Sequence, residues 1–106
     1  MSDSEKSDDE TRRLPIGDAR IEQRDGEAWL VVSGEAPCAN MEVTLEPAVY
    51  VVQPDWWQVT LIGTLPGGLC LTSIRPYEVA RPVRTIAGKQ GIVLLGADDE
   101  SRRFAL

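Results

Sequence analysis

Two cysteines offer the most chemistry in this chain. Cys38 and Cys70 are 32 positions apart, and each follows a turn signal: Ala36-Pro37 before the first, Pro66-Gly67-Gly68 before the second. A pair of thiols can close a disulfide, help hold a metal, or supply a nucleophile. A structural metal site normally wants four ligands, and the chain has no histidine to add to the two sulfurs. A catalytic thiolate wants a base beside it, and no imidazole exists. Two readings remain open. One is a bridge closing a loop over three strand segments, worth about 3–4 kcal/mol in the chain-entropy picture. The other is two buried free thiols in a reducing compartment.

The absence of histidine also removes the commonest general base and the commonest switch near neutral pH. Carboxylates such as Asp55 and Glu78 could serve a hydrolase only if folding brought two of them together, and nothing in their spacing does so. Asp98-Asp99-Glu100 lacks the alternating ligands and central glycine of a calcium loop, and reads as a solvated hairpin tip. Gly67-Gly68 and Gly88 to Gly91 are turns with no helix behind them, so they form no phosphate cradle. No catalytic residue, metal or cofactor is therefore expected, and the chain is read as a non-enzyme.

Binding chemistry is the remaining class. Trp56 and Trp57 must face opposite ways if both lie in a strand. Trp57, Val59 and Leu61 then form an apolar face, while Trp56, Gln58, Thr60 and Ile62 form a mixed one. Trp56 with Gln58 and Tyr50 is a candidate patch for a protein, peptide or glycan. The competing reading packs both indoles beneath covered sheet faces, or re-aims them with a bulge at Asp55. A second candidate is Arg75-Pro76-Tyr77-Glu78, with Arg75 and Tyr77 as the contact residues. Its competing reading is a structural corner. Arg81, Arg84, Lys89, Arg102 and Arg103 have no interleaved aromatics, and with a net charge of −6 nucleic acid is not an expected partner.

The elements that must position these residues are strands. Asp18–Gln23 alternates weakly and leads into Asp25-Gly26, a tight-hairpin signal. Ala28–Ser33 carries a continuous apolar run, read as buried on both faces. Met41–Glu46 alternates apolar and polar residues. Tyr50–Val52 reads as an edge segment between Pro47 and Pro54. Trp56–Gly63 is the longest clean strand, and Leu69–Ile74 is expected to close a hairpin with it. Glu78–Arg84, interrupted by Pro82, is placed at an edge. Ile92–Leu95 is a buried strand, and Arg103–Leu106 closes the chain. About seven to eight short strands with turn signals between them predict an all-β domain, an antiparallel β-sandwich over residues 16–106. A small β-barrel is the alternative.

Residues 1–15 read differently. Asp3, Glu5, Asp8, Asp9 and Glu10 face a single Lys6 within the first ten positions. Such a segment has too little apolar surface to offset its ordering entropy and is expected to be a disordered acidic tail. No apolar run reaches the roughly 18 residues that span a bilayer, so membrane insertion is not expected. No signal peptide is recognisable. The opening Ser-Asp-Ser-Glu-Lys-Ser resembles the tether of a bacterial lipoprotein, with Met1 where a lipidated cysteine would stand. That resemblance implies a lipid anchor in a precursor. The other reading is a cytoplasmic protein with an acidic start.

A wider resemblance covers most of residues 18–106. Gly34-Glu-Ala-Pro-Cys38, Val59 to Thr64, Gly67-Gly-Leu-Cys70, Arg75-Pro-Tyr77 and Gly91 to Gly96 are spaced as in small exported bacterial β-sandwich proteins. The resemblance implies an immunoglobulin-like fold and a Cys38–Cys70 disulfide, and it implies no activity. The Arg75-Pro76-Tyr77 corner also faintly resembles the wedge loop of immunoglobulin-like cysteine-protease inhibitors, although their Asn-Pro-Thr-Thr-Gly-Tyr loop is missing. The resulting expectation is a binding or structural module of the cell envelope or a secreted one, periplasmic or membrane-anchored, with a protein or peptide partner. An inhibitor or immunity-like protein that blocks an enzyme through its inter-strand loops is the alternative.

Overall fold

The computed structural model describes residues 9–106. It contains eight strands: β1 (Glu10–Arg13), β2 (Asp18–Arg24), β3 (Glu27–Ala36), β4 (Glu42–Pro47), β5 (Trp56–Leu65), β6 (Arg75–Pro82), β7 (Gly91–Leu95) and β8 (Ser101–Ala105). Five strands form one sheet and three form the other, in the order β2-β3-β6. The two sheets share one core. Leu30, Val32 and Ala36 of β3 face Val59, Leu61 and Leu65 of β5, with Leu45, Ile92, Leu94 and Ile86 filling in around them.

β5 organises the larger sheet. On one side it pairs with β4 over residues 59–64. On the other it pairs with β7 over its first half and with β1 over its second half. Its burial alternates from Gln58 onward, with Val59, Leu61, Gly63 and Leu65 buried and the intervening residues partly or fully exposed. The two faces expected from the period of a strand are those observed. Asp25 and Gly26 both take positive φ and close a two-residue hairpin in which Arg24 pairs with Glu27. β3 is buried on both faces, as its composition predicts. Leu30 and Val32 join the core, while Val31 is equally buried on the outer face, across from Arg20.

Four expectations are corrected. Leu69–Ile74 is not a strand and forms no hairpin with β5. Pro66–Gly68 is a short 3-10 turn, and the chain then crosses to the other sheet, where β6 begins at Arg75. Tyr50–Val52 is an irregular loop: β4 ends at Pro47, and Ala48 N makes one further backbone bond to β5, to Gln58 O at 2.9 Å, before the chain leaves the sheet. The pairing is not wholly antiparallel: β5 and β7 run parallel. Their connection passes through β6 in the opposite sheet, so β7 enters from the same end as β5. Within the stretch read as a tail, Glu10–Arg13 is a strand and Leu14 is buried in the core. Residues 1–8 lie outside the described residues.

The sheets do not close into a barrel. β4 and β6 are edge strands that approach each other without sharing a ladder. Arginines from β6 span the gap instead. Arg75 Nε donates to Ala39 O at 3.0 Å and its Nη2 donates to Met41 O. Arg81 Nε donates to Leu45 O at 2.9 Å. The carbonyls of Ala39, Met41 and Leu45 thus receive charged donors across the gap.

Candidate interaction surface

The sulfurs of Cys38 and Cys70 are bonded, with Cα atoms 5.2 Å apart. The bridge ties the β3–β4 turn to the crossover that follows β5. The free-thiol reading is thereby replaced. Asn40 reinforces the tie: its Nδ2 donates to Leu69 O at 2.6 Å, and its Oδ1 accepts from Leu71 N at 3.0 Å. Ala39 N donates to Leu71 O at 2.8 Å. Leu69, Leu71 and Ile74 are left exposed around the bridge.

The predicted Trp56–Tyr50–Gln58 patch does not assemble as one aromatic surface. Trp56 is half-buried on the outer face of the larger sheet, with the Arg103 guanidinium 5.0 Å from its ring centroid. Tyr50 turns instead to Trp57, edge to face, with centroids 5.1 Å apart. Its hydroxyl accepts from Gln58 N at 3.3 Å, while the Gln58 side chain stays exposed. Trp57 packs on the core and donates from Nε1 to Ala48 O at 3.1 Å.

Arg75 and Tyr77 are not at the tip of a loop. They lie in β6 and point inward. Arg75 is one of the two inter-sheet ties, and Tyr77 is buried in the core. Among the described residues, the Tyr77 hydroxyl is the one buried side-chain polar atom without a hydrogen-bond partner. Burial pushes its pKa up from the ordinary value. Asp55 lies in the bend before β5 and Glu78 in β6 of the smaller sheet, where it is engaged by Arg24 at 2.9 Å. Among the described residues, no three Cys, Asp or Glu side chains gather as a metal group.

What these contacts build is a supported loop over residues 48–54, at the start of β5. Tyr50 and Trp57 buttress it from beneath. Ala48 N donates to Gln58 O at 2.9 Å. Gln53 Nε2 donates to Ala87 O at 2.8 Å, and Lys89 N donates to Pro54 O at 2.8 Å. On this frame Val49, Val51 and Val52 stand 95 %, 102 % and 73 % exposed. Full burial of one such side chain is worth about 1.5–3 kcal/mol. Three of them on one short, tethered loop present apolar surface on a segment the fold already holds in place. The sequence carries a partial signal in Pro47-Ala-Val-Tyr-Val-Val-Gln-Pro54: the bracketing prolines mark a segment set off from the strands on either side, with three valines in it. The second exposed apolar group, around Leu69 and Leu71, lies at the other end of β5, about 30 Å away at strand rise.

Among the described residues no helix is long and apolar enough to cross a membrane. No protein-family model matches the chain, and no curated protein or solved structure shows significant similarity to it.

Proposed function

We propose that this chain is a non-enzymatic binding module, immunoglobulin-like in kind, that works outside the cytoplasm and engages a protein partner through the 48–54 loop. The observation that carries the reading is the exposure of Val49, Val51 and Val52 on a loop held by Trp57, Tyr50 and Gln53. Burying three exposed valines against a partner removes apolar area from water, and rigid presentation lowers the entropic cost of doing so. The disulfide supports an oxidising compartment, since such bridges persist in secreted and periplasmic proteins. The lipoprotein tether belongs to the same proposal and falls on residues outside those described.

The tethers support a second reading. An exposed loop tied down at both ends is also suited to filling the cleft of an enzyme, so the inhibitor alternative moves from Arg75 and Tyr77 to Val49–Val52. One variant set tests both. Val49, Val51 and Val52 replaced together by Ser should leave the melting temperature nearly unchanged, because the side chains contact little. Retention of an envelope partner should fall at least about tenfold, one lost anchor's worth. A panel of proteases and glycosidases separates the two readings, since only an inhibitor slows one of them. Unchanged partner retention by the triple variant would remove the proposal.

A further inference from the structure

The two sulfurs of the bridge are unequal. Cys38 is 2 % exposed and belongs to the core cluster, whereas Cys70 is an exposed residue. Cys70 follows Leu69, which has extended backbone dihedrals, in a crossover without regular secondary structure. The segment is held from its Cys38 side by Asn40 and Ala39. Nothing from the core covers its outer side, where Leu69 and Leu71 are also exposed.

We propose that the bridge is opened and closed through one sulfur: Cys70 is the site at which external thiols form a mixed disulfide, and Cys38 is the buried leaving and resolving thiol. Thiol–disulfide exchange is a displacement in which the attacking thiolate approaches along the S–S axis, opposite the leaving sulfur. With Cys38 inside, that axis opens to solvent only at Cys70. An external thiolate bonds to Cys70 Sγ, the Cys70–Cys38 bond breaks, and its electron pair leaves on Cys38 Sγ, which takes up a proton. A second external thiol then attacks the outer sulfur of the adduct, freeing the Cys70 thiol and leaving the external pair oxidised. Closure is the reverse: the mixed disulfide forms on Cys70, and the Cys38 thiolate displaces the external thiol from within. Attack at Cys38 would need the core opened first, and its rate is set by that opening. This assignment stands independently of the 48–54 loop.

The test uses the folded, oxidised chain with glutathione as the probe. After brief exposure the reaction is quenched, the protein is unfolded in an alkylating agent, and the peptides are identified by mass. The expected result is glutathione on Cys70 and the alkyl group on Cys38. Glutathione on Cys38, an even split, or no adduct on the folded chain would overturn the assignment. Cys38→Ala and Cys70→Ala provide a second measurement, both lacking the bridge. With an aromatic disulfide reagent under native conditions, the thiol of Cys38→Ala should react about a hundredfold faster than that of Cys70→Ala. Equal rates in two folded variants would also overturn it. Where a variant loses its fold by circular dichroism, the adduct position in the unaltered chain decides.

Discussion

Gly34 stands directly across from Tyr77 on the neighbouring strand, and the Tyr77 ring occupies the space that a side chain at position 34 would need. A Cβ built on Gly34 would meet Tyr77 Oη at 2.9 Å and Cζ at 3.2 Å. Because Tyr77 is buried, the ring has little room to retreat. Gly34→Ala is therefore expected to destabilise the fold by about 1–3 kcal/mol, the usual cost of overpacking. Urea unfolding measures it, and an unchanged midpoint would show that the ring shifts freely.

The Tyr77 hydroxyl gives an opposite expectation. It is buried without a partner, so removing it leaves no donor or acceptor stranded. Tyr77→Phe should be neutral or stabilising by up to about 1 kcal/mol at neutral pH. The pH dependence follows from the raised pKa. The neutral phenol is favoured in the fold, so this contribution is fully present below the unfolded-state pKa of about 10 and is lost as pH rises through the folded value. The parent chain should lose stability as pH rises from about 10 through the folded value, and the Phe variant should lose less. Parallel alkaline denaturation curves would contradict this.

Removing the inter-sheet arginines should have graded effects. Arg75 is partly buried and serves two carbonyls, whereas Arg81 is exposed and serves one. Arg75→Ala is expected to cost about 1–3 kcal/mol and Arg81→Ala less than about 1 kcal/mol. In both, amide exchange along β4 should accelerate more than exchange in β3. Equal protection in the variants and the parent would show that the ties do not hold this edge.

Much of this architecture is legible in the sequence, for reasons tied to particular residues. The two faces of β5 follow from strict alternation, and the β2–β3 hairpin follows from Asp25-Gly26. Turn signals beside both cysteines leave a bridge and two free thiols equally legible, and the structure bonds the sulfurs. Other features have no local signal. Glu10-Thr-Arg-Arg13 is polar throughout and becomes a strand because the second half of β5 has a free edge. Leu69 and Leu71 alternate as a strand would, yet the bridge at Cys70 and the Asn40 contacts hold that segment as a crossover. The parallel register of β5 and β7 depends on the route taken by the chain between them, which composition does not encode. The aromatic patch does not form because Tyr50 packs edge to face on Trp57 and its hydroxyl accepts from Gln58 N.

Trp57 links the core to the displayed loop. Trp57→Phe keeps an aromatic ring but removes the bond from Nε1 to Ala48 O. A loss of about 1 kcal/mol is expected. Amides of residues 48–53 should exchange faster, while those of β7 should be little affected. Uniformly faster exchange would place Trp57 in the core alone, with no role in holding the loop.

Site-specific photocrosslinking asks whether Val49, Val51 and Val52 form the partner-binding surface. A photoreactive side chain at position 51 is compared with one at position 22, on the outer face of the smaller sheet. The prediction is a discrete crosslinked protein at 51 and none at 22, competed away by the unlabelled parent chain but not by the triple Ser variant. The same products from both positions, or equal competition by the triple variant, would contradict it.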